Sequence, residues 1–378
     1  MQCWQFRFGK GPQLEPPGLQ NRHPSSSPAG NETEFAIARR ISEHAHPRCG
    51  HALTGCGSFA GAKLRPLGVS KGPNRLQWEA WMRFSFWPDP VQPYADVLAL
   101  AQHVEATGWD GIWYADHFMD SENTSAPCTE AWVTLSAIGA VVPRLRLGTL
   151  VAGNTYRHPA VLAKMAATLD HITRGRVVLG LGSGWQENEH RQYGIPFHTV
   201  KGRLQRLDEA CAVIKSLFSE TNTNFDGRFY QLEDATLEPK PVQQPLPLLI
   251  GGGGEQRTLR IAAQYADEWN VWGDVAVLRQ KMAVLDGHCA AVGRRPEAIK
   301  RTAVALLFMS EDADWLEGVR RSKPGPAAII GTVDEVRETV RAFADIGVDE
   351  LIVPDFNLGD QERKVEVLDR FIKDVAGR

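Results

Sequence analysis

The amino-acid sequence predicts an α/β chain folded as a (β/α)8 TIM barrel, and three observations carry that reading. Short apolar segments alternate with helix-period segments from Met82 to the C terminus. The apolar segments are near-continuous runs rather than alternating ones, which fits parallel strands covered on their outer side by helices. Eight such units in about 297 residues match a closed barrel better than an open, doubly wound sheet.

Each element has its own signature. Arg83-Phe84-Ser85-Phe86-Trp87 is a short aromatic strand stopped by Pro88. The helix from Tyr94 to Thr107 gathers Val97, Leu98, Ala101 and Val104 on one face, and Gly108 ends it. Gly111 to Ala115 is the second strand, and a helix near Trp132 to Val141 leads to the third, Leu145 to Val151. A helix from Ala160 to Ile172 turns at Gly175 into the fourth, Val177 to Leu181. After the long helix Gly202 to Phe218, Asp226-Gly227 between Asn224-Phe225 and Arg228-Phe229-Tyr230 predicts a hairpin insertion. The fifth strand, Pro247 to Ile250, is followed by a helix from Gln256 to Tyr265 and the sixth strand, Glu268 to Trp272. A helix from Val275 to Val292 precedes the seventh strand, Thr302 to Met309. Asp312 to Gly331, with Ser322-Lys323-Pro324-Gly325-Pro326, reads as a mobile lid. Thr332-Val333-Asp334-Glu335 is a capping box opening a helix to Asp345. The eighth strand is Glu350 to Val353, and a helix from about Gln361 to Val375 ends the chain.

Composition narrows the partners. The 378 residues carry 42 Lys and Arg against 45 Asp and Glu, a net charge of -3, so nothing draws the chain broadly to nucleic acid or an anionic membrane. No apolar run approaches the roughly 18–20 residues of a membrane helix. Residues 1–81 differ in kind: they hold 10 Lys and Arg against 5 Glu and no Asp. Runs such as Pro24-Ser25-Ser26-Ser27-Pro28 predict a low-order N-terminal extension, with a start at Met82 as the alternative. Its cluster of His44, His46, Cys49, His51 and Cys56 matches no standard zinc spacing, and no metal site is assigned. Arg39-Arg40 has no apolar core behind it and is not an export signal. Six irregularly spaced cysteines make no disulfide framework, so a reducing cytoplasm is the default location.

In a barrel of this kind the chemistry belongs just beyond the strand ends. Those loops carry Ala115-Asp116-His117-Phe118, Ala152-Gly153-Asn154-Thr155-Tyr156-Arg157-His158-Pro159, Gly182-Ser183-Gly184-Trp185-Gln186-Glu187-Asn188-Glu189-His190 and Gly251-Gly252-Gly253-Gly254-Glu255-Gln256-Arg257. The four-glycine run lets backbone approach an oxyanion, with free N–H groups at the following helix and Arg257 nearby; without a Lys-Ser/Thr ending it is not an NTPase loop. His117 reads as a proton shuttle, a hydrogen bond to a cofactor carbonyl, or a packed histidine. Asp116 orients it, meets the cofactor or caps a turn. His158 before Pro159 reads as a helix cap. Gly182, Ser183 and Gly184 leave room for a flat ring, while Glu187 and Glu189 read as helix-start acids on a solvated turn.

Taken together, these motifs resemble the bacterial luciferase-like superfamily of flavin- and deazaflavin-dependent oxidoreductases. The carriers are Gly108-Trp109-Asp110-Gly111-Ile112-Trp113-Tyr114-Ala115-Asp116-His117, Arg157-His158-Pro159, Gly180-Leu181-Gly182-Ser183-Gly184-Trp185, Ile250-Gly251-Gly252-Gly253-Gly254-Glu255 with Arg257-Thr258-Leu259, Tyr265-Ala266-Asp267-Glu268-Trp269-Asn270 and Ile330-Gly331-Thr332. The resemblance covers Met82 to about Arg378. It implies a cofactor ring at the barrel mouth flanked by Asp116 and His117, with His117 as catalytic proton donor or substrate contact. It also implies a non-prolyl cis bond near Leu150-Val151 behind the ring. Val151, Gly153, Ser183, Gly184 and Asn188 match cofactor-contacting positions, and Gly252, Gly253 and Gly254, with Arg257, the phosphate site. In the deazaflavin-dependent sugar-phosphate dehydrogenases an acid stands where this chain has Trp185, which argues against their substrate. The resemblance therefore implies hydride transfer through coenzyme F420 to an apolar organic substrate, with an FMN-dependent monooxygenase using O2 as the alternative, and a homodimer. A metal-dependent hydrolase would need a His-x-His at the first strand end, where Phe86-Trp87-Pro88-Asp89 stands. A non-catalytic flavin-binding module is the remaining class.

Overall fold

The computed structural model describes residues 82–325 and 327–378. The N-terminal extension with its His/Cys cluster, and Pro326, lie outside the described residues.

Apolar strand runs and helix faces do what their patterns dictate. The strands β1 (Arg83–Trp87), β2 (Gly111–Tyr114), β3 (Arg146–Thr149), the two-residue β4 (Ala152–Gly153) and β5 (Val177–Gly182) come first. The antiparallel hairpin β6 (Thr223–Asp226) and β7 (Gln231–Ala235) follows, then β8 (Leu248–Gly251), β9 (Glu268–Trp272), β10 (Lys300–Val304), β11 (Leu306–Met309), β12 (Ala328–Gly331) and β13 (Glu350–Pro354). The helices are α1 (Tyr94–Ala106), α2 (Ala131–Val141), α3 (Pro159–Thr173), α4 (Glu187–Tyr193), α5 (Val200–Ser219), α6 (Thr258–Tyr265), α7 (Val275–Ala291), α8 (Ala313–Ser322), α9 (Val333–Asp345) and α10 (Gln361–Arg370). Parallel pairing runs β1-β2-β3-β5-β8-β9-β10-β13 and returns to β1, closing an eight-stranded barrel. Among the described residues no helix is long and apolar enough to cross a membrane.

Strand alternation separates two interiors. Phe84 and Phe86 of β1, with Leu351 and Val353 of β13, point outward into the layer shared with the helices. Inside, Trp87, Leu150, Val178, Leu249, Val304 and Ile352 fill the upper barrel. Below them the filling is ionic. Glu350 accepts from Arg146 Nη1 (2.5 Å), Arg83 Nε (3.1 Å) and Trp113 Nε1 (2.8 Å), and Arg146 Nη2 reaches Glu268 (2.6 Å). Burial opposes the charge on Glu350, but Arg146 and Arg83 outweigh it and hold the carboxyl below its ordinary range.

Three expectations need correction. The stretch from Asp312 to Gly331 is not a loose lid: Asp312 caps α8 through Trp315 N–H, and β12 pairs in parallel with β11. Its Ile329 is buried, and that is what orders it. The seventh strand is interrupted at Ala305, so only Lys300–Val304 stays in the barrel wall while Leu306–Met309 joins the side sheet. Glu187 to Tyr193 forms α4, a helix that turns Glu189 and His190 inward, so Glu189 is no solvated turn acid.

Candidate active site

The C-terminal strand ends place one small-residue floor and one imidazole–carboxylate pair at the mouth. The Leu150-Val151 peptide is cis, as the resemblance implies, and Val151 follows it into the barrel opening. A Cβ on Gly182 would lie 2.7 Å from Val151 Cγ2, and one on Gly251 2.8 Å from Cγ1. Only glycine admits the isopropyl group between β5 and β8, leaving a flat floor beside it. Gly153 is shaped by the Tyr156 ring, 2.5 Å from where its Cβ would be. Ser183 and Gly184 stand half-exposed above that floor.

Gly252 adopts φ 120°, turning the chain toward α6. The backbone N–H groups of Gly253, Gly254, Glu255 and Gln256 donate to no acceptor among the described residues. Four unpaired donors at the start of a helix form a ready anion cradle. Arg257 is exposed beside it. A cation that sequence reasoning missed lies closer: Lys281 of α7 passes Gly253, its Nζ 2.7 Å from Glu255. These donors fit the phosphate of a flavin or deazaflavin, and the glycine floor fits its ring.

His117 follows β2 and meets a buried carboxylate there. Its Nδ1 lies 2.9 Å from Glu189 Oε1, while Glu189 Oε2 accepts from Phe118 N–H at 2.8 Å and Tyr156 Oη also donates to the carboxylate. Glu189 is fully buried, so burial pushes against its charge, yet the His117, Phe118 and Tyr156 bonds outweigh that and hold it below the ordinary range. Burial and the Glu189 charge push the Tyr156 phenol upward. His117 Nε2 makes no hydrogen bond within the described residues, and Trp185 stands edge-on to the ring at 5.4 Å, itself 60% exposed.

Asp116 is brought to the same place in another capacity. Its carboxylate takes both Arg157 nitrogens, at 2.7 and 3.2 Å, and Arg157 also reaches Glu130, the N-cap of α2. Burial raises the Asp116 pKa, with Arg157 opposing. The ion pair pins the loops after β2 and β3 together. Asn188 Nδ2 donates to the Asp120 and Ser121 carbonyls at 3.1 and 3.2 Å. His158 caps α3 through Ala160 N–H. Near the strand ends, Trp87 and Trp272 pack together with Phe356, and Phe118 sits between Tyr156 and Tyr193. Glu189 and Tyr156 were missed; the signal for Glu189 was adjacency to His190 on a short helix with one inward face.

Comparison with known proteins places the chain. Residues 75–322 match the family model described as luciferase-like monooxygenase. The chain is 38% identical over 225 residues to an F420-dependent glucose-6-phosphate dehydrogenase of Kineococcus radiotolerans, covering 58% of this chain and 66% of the relative. It is 28% identical over 217 residues to an F420-dependent hydroxymycolic acid dehydrogenase of Mycobacterium tuberculosis, covering 57% and 59%. The matched region thus spans about three fifths to two thirds of these relatives' length. The fold is shared with an F420-dependent secondary alcohol dehydrogenase, at a TM-score of 0.69 and 19% identity, over 78% of this chain and 99% of that one. The chain therefore belongs to the luciferase-like monooxygenase family.

Proposed function

We propose that this chain transfers hydride between coenzyme F420 and an apolar alcohol or its carbonyl counterpart. The observation carrying the reading is His117, with Nδ1 bonded to a buried carboxylate and Nε2 unengaged among the described residues, at the rim of a glycine-lined floor. The Val151, Gly182 and Gly251 surface would hold the ring, and the N–H groups of Gly253 to Gln256, with Lys281, its phosphate. The deazaflavin, when bound, supplies a two-electron hydride acceptor or donor. His117 Nε2 takes the hydroxyl proton as the carbonyl forms, and returns it in the reverse direction. Trp185 stands where a sugar-phosphate dehydrogenase carries an acid, and its exposed indole beside His117 offers apolar contact. The F420-dependent relatives, two named for hydroxylated substrates, support the cofactor and the reaction.

Fluorescence titration with F420, with FMN as competitor, tests the cofactor. Saturable F420 binding that FMN does not displace supports the reading, whereas tight FMN binding with no F420 response overturns it in favour of an O2-using monooxygenase. A His117→Gln variant that binds F420 normally but loses turnover tests the chemistry. We also infer a homodimer: Val133 and Val141 of α2 and Val161 and Ile172 of α3 are 73%, 55%, 54% and 45% exposed, and sedimentation equilibrium reads the mass.

A further inference from the structure

We propose that Glu189, with Tyr156 as its hydrogen-bond donor, is the positioning residue that fixes which nitrogen of His117 faces the mouth. The inference rests on the acid–base reading of His117 and deepens it. A buried carboxylate can only accept, and both oxygens of Glu189 are already aimed at donors. Phe118 N–H takes Oε2, so Oε1 demands a proton on His117 Nδ1. The neutral imidazole must then carry its lone pair on Nε2, the nitrogen without a hydrogen bond among the described residues. In that tautomer Nε2 accepts a proton without any ring flip. The imidazolium formed keeps the same Nδ1 bond, now charge-assisted, so geometry does not change during the transfer.

Other charged or titratable groups near the imidazole do not take this role. Asp116 is spent on Arg157. The Cys128 thiol donates to the His117 carbonyl rather than its ring. His190 is turned to Gln186 O and Thr155 Oγ1, at 2.6 and 2.7 Å. Asp120 accepts from the backbone N–H groups of Glu122 and Asn123. Glu189 is the carboxylate in hydrogen-bond contact with the ring, and it reaches His117 from a different element, α4, across 72 residues of sequence.

The test uses the full-length apo protein labelled with 15N-histidine, so it needs neither cofactor nor substrate. Long-range 1H–15N spectra across pH 5–9 report the His117 tautomer and titration midpoint. Wild type is expected to show Nδ1–H, Nε2-unprotonated imidazole. Glu189→Gln leaves one acceptor oxygen for three donors, Phe118 N–H, His117 Nδ1 and Tyr156 Oη, so the tautomer should become mixed or invert, and the midpoint fall. Tyr156→Phe leaves the fold least disturbed and should move the midpoint the opposite way, upward, because Glu189 loses a competing donor. Unchanged tautomer and midpoint in Glu189→Gln, or a downward shift in Tyr156→Phe, would overturn the proposal. If Glu189→Gln does not fold, the sign of the Tyr156→Phe shift decides alone. Failure of the acid–base reading is separate: it shows as full turnover in His117→Gln, whatever the spectra report.

Discussion

Replacing Glu350 by Gln should cost this barrel about as much as truncating a buried apolar side chain in its wall. The side chain is completely buried, and Arg146 and Arg83 have 18% and 32% of their side chains exposed. In the native layer two guanidiniums face two carboxylates, Glu350 and Glu268. The amide can keep the Trp113 Nε1 bond but leaves the layer one positive charge in excess. Removing one partner of a buried pair costs about 3–5 kcal/mol. Because Arg83 is partly solvated and Glu268 still neutralises one guanidinium, the lower end, about 3 kcal/mol, applies here. Urea unfolding at pH 7 measures it as a lowered midpoint. The pH dependence has a definite sign. Glu350 is held below its unfolded value, so its contribution is complete above about pH 4.5 and fades as pH falls through the depressed native value. The gap between wild type and variant should therefore be flat from pH 7 to 5 and narrow toward pH 3. A variant within 1 kcal/mol of wild type at pH 7, by the roughly 0.5 kcal/mol scatter of surface substitutions, or a gap constant down to pH 3, refutes the reasoning.

Other outcomes are equally specific. Gly182→Ala should lose about 1–3 kcal/mol by forcing a Cβ against Val151, and Val151→Ala in the same chain should restore part of it; strictly additive denaturation values count against the contact. Arg157→Met strands a buried Asp116 and should destabilise by about 3 kcal/mol, read again by urea unfolding, with the α2 N-terminus exchanging amide hydrogens faster. Glu209→Gln should accelerate hydrogen exchange at Arg228, Phe229 and Tyr230, whose N–H groups it accepts at 3.1, 2.8 and 3.2 Å, while leaving barrel amides unchanged.

The barrel was legible because its information is local. Apolar runs such as Val177 to Leu181 and stops such as Gly108 and Pro88 are read within one element, and the glycine loops fall where a strand ends. The hairpin at Asp226-Gly227 was legible for the same reason. What escaped depends on facing. Glu189 lies one residue before His190, and no periodicity over a seven-residue helix announces that both turn inward. Asp116 reads along the chain as a ring neighbour, and its ion pair with Arg157, 41 residues away, is not visible there. The break at Ala305 is likewise invisible along the chain: Leu306 to Met309 is as apolar as any barrel strand, and only pairing with Ala328–Gly331 draws it out of the wall.

The ionic base of the barrel has a further meaning for how such a chain can change. Glu350, Arg146 and Glu268 sit at the N-terminal ends of β13, β3 and β9, whereas His117, the cis peptide and the glycine cradle sit past the opposite ends of β2, β3, β5 and β8. The buried Glu350 layer and the proposed acid–base group thus lie at opposite poles of the same strands. Substitutions among exposed rim residues such as Trp185 leave that layer untouched, so new substrates can be explored by drift at the rim while the foundation stays fixed.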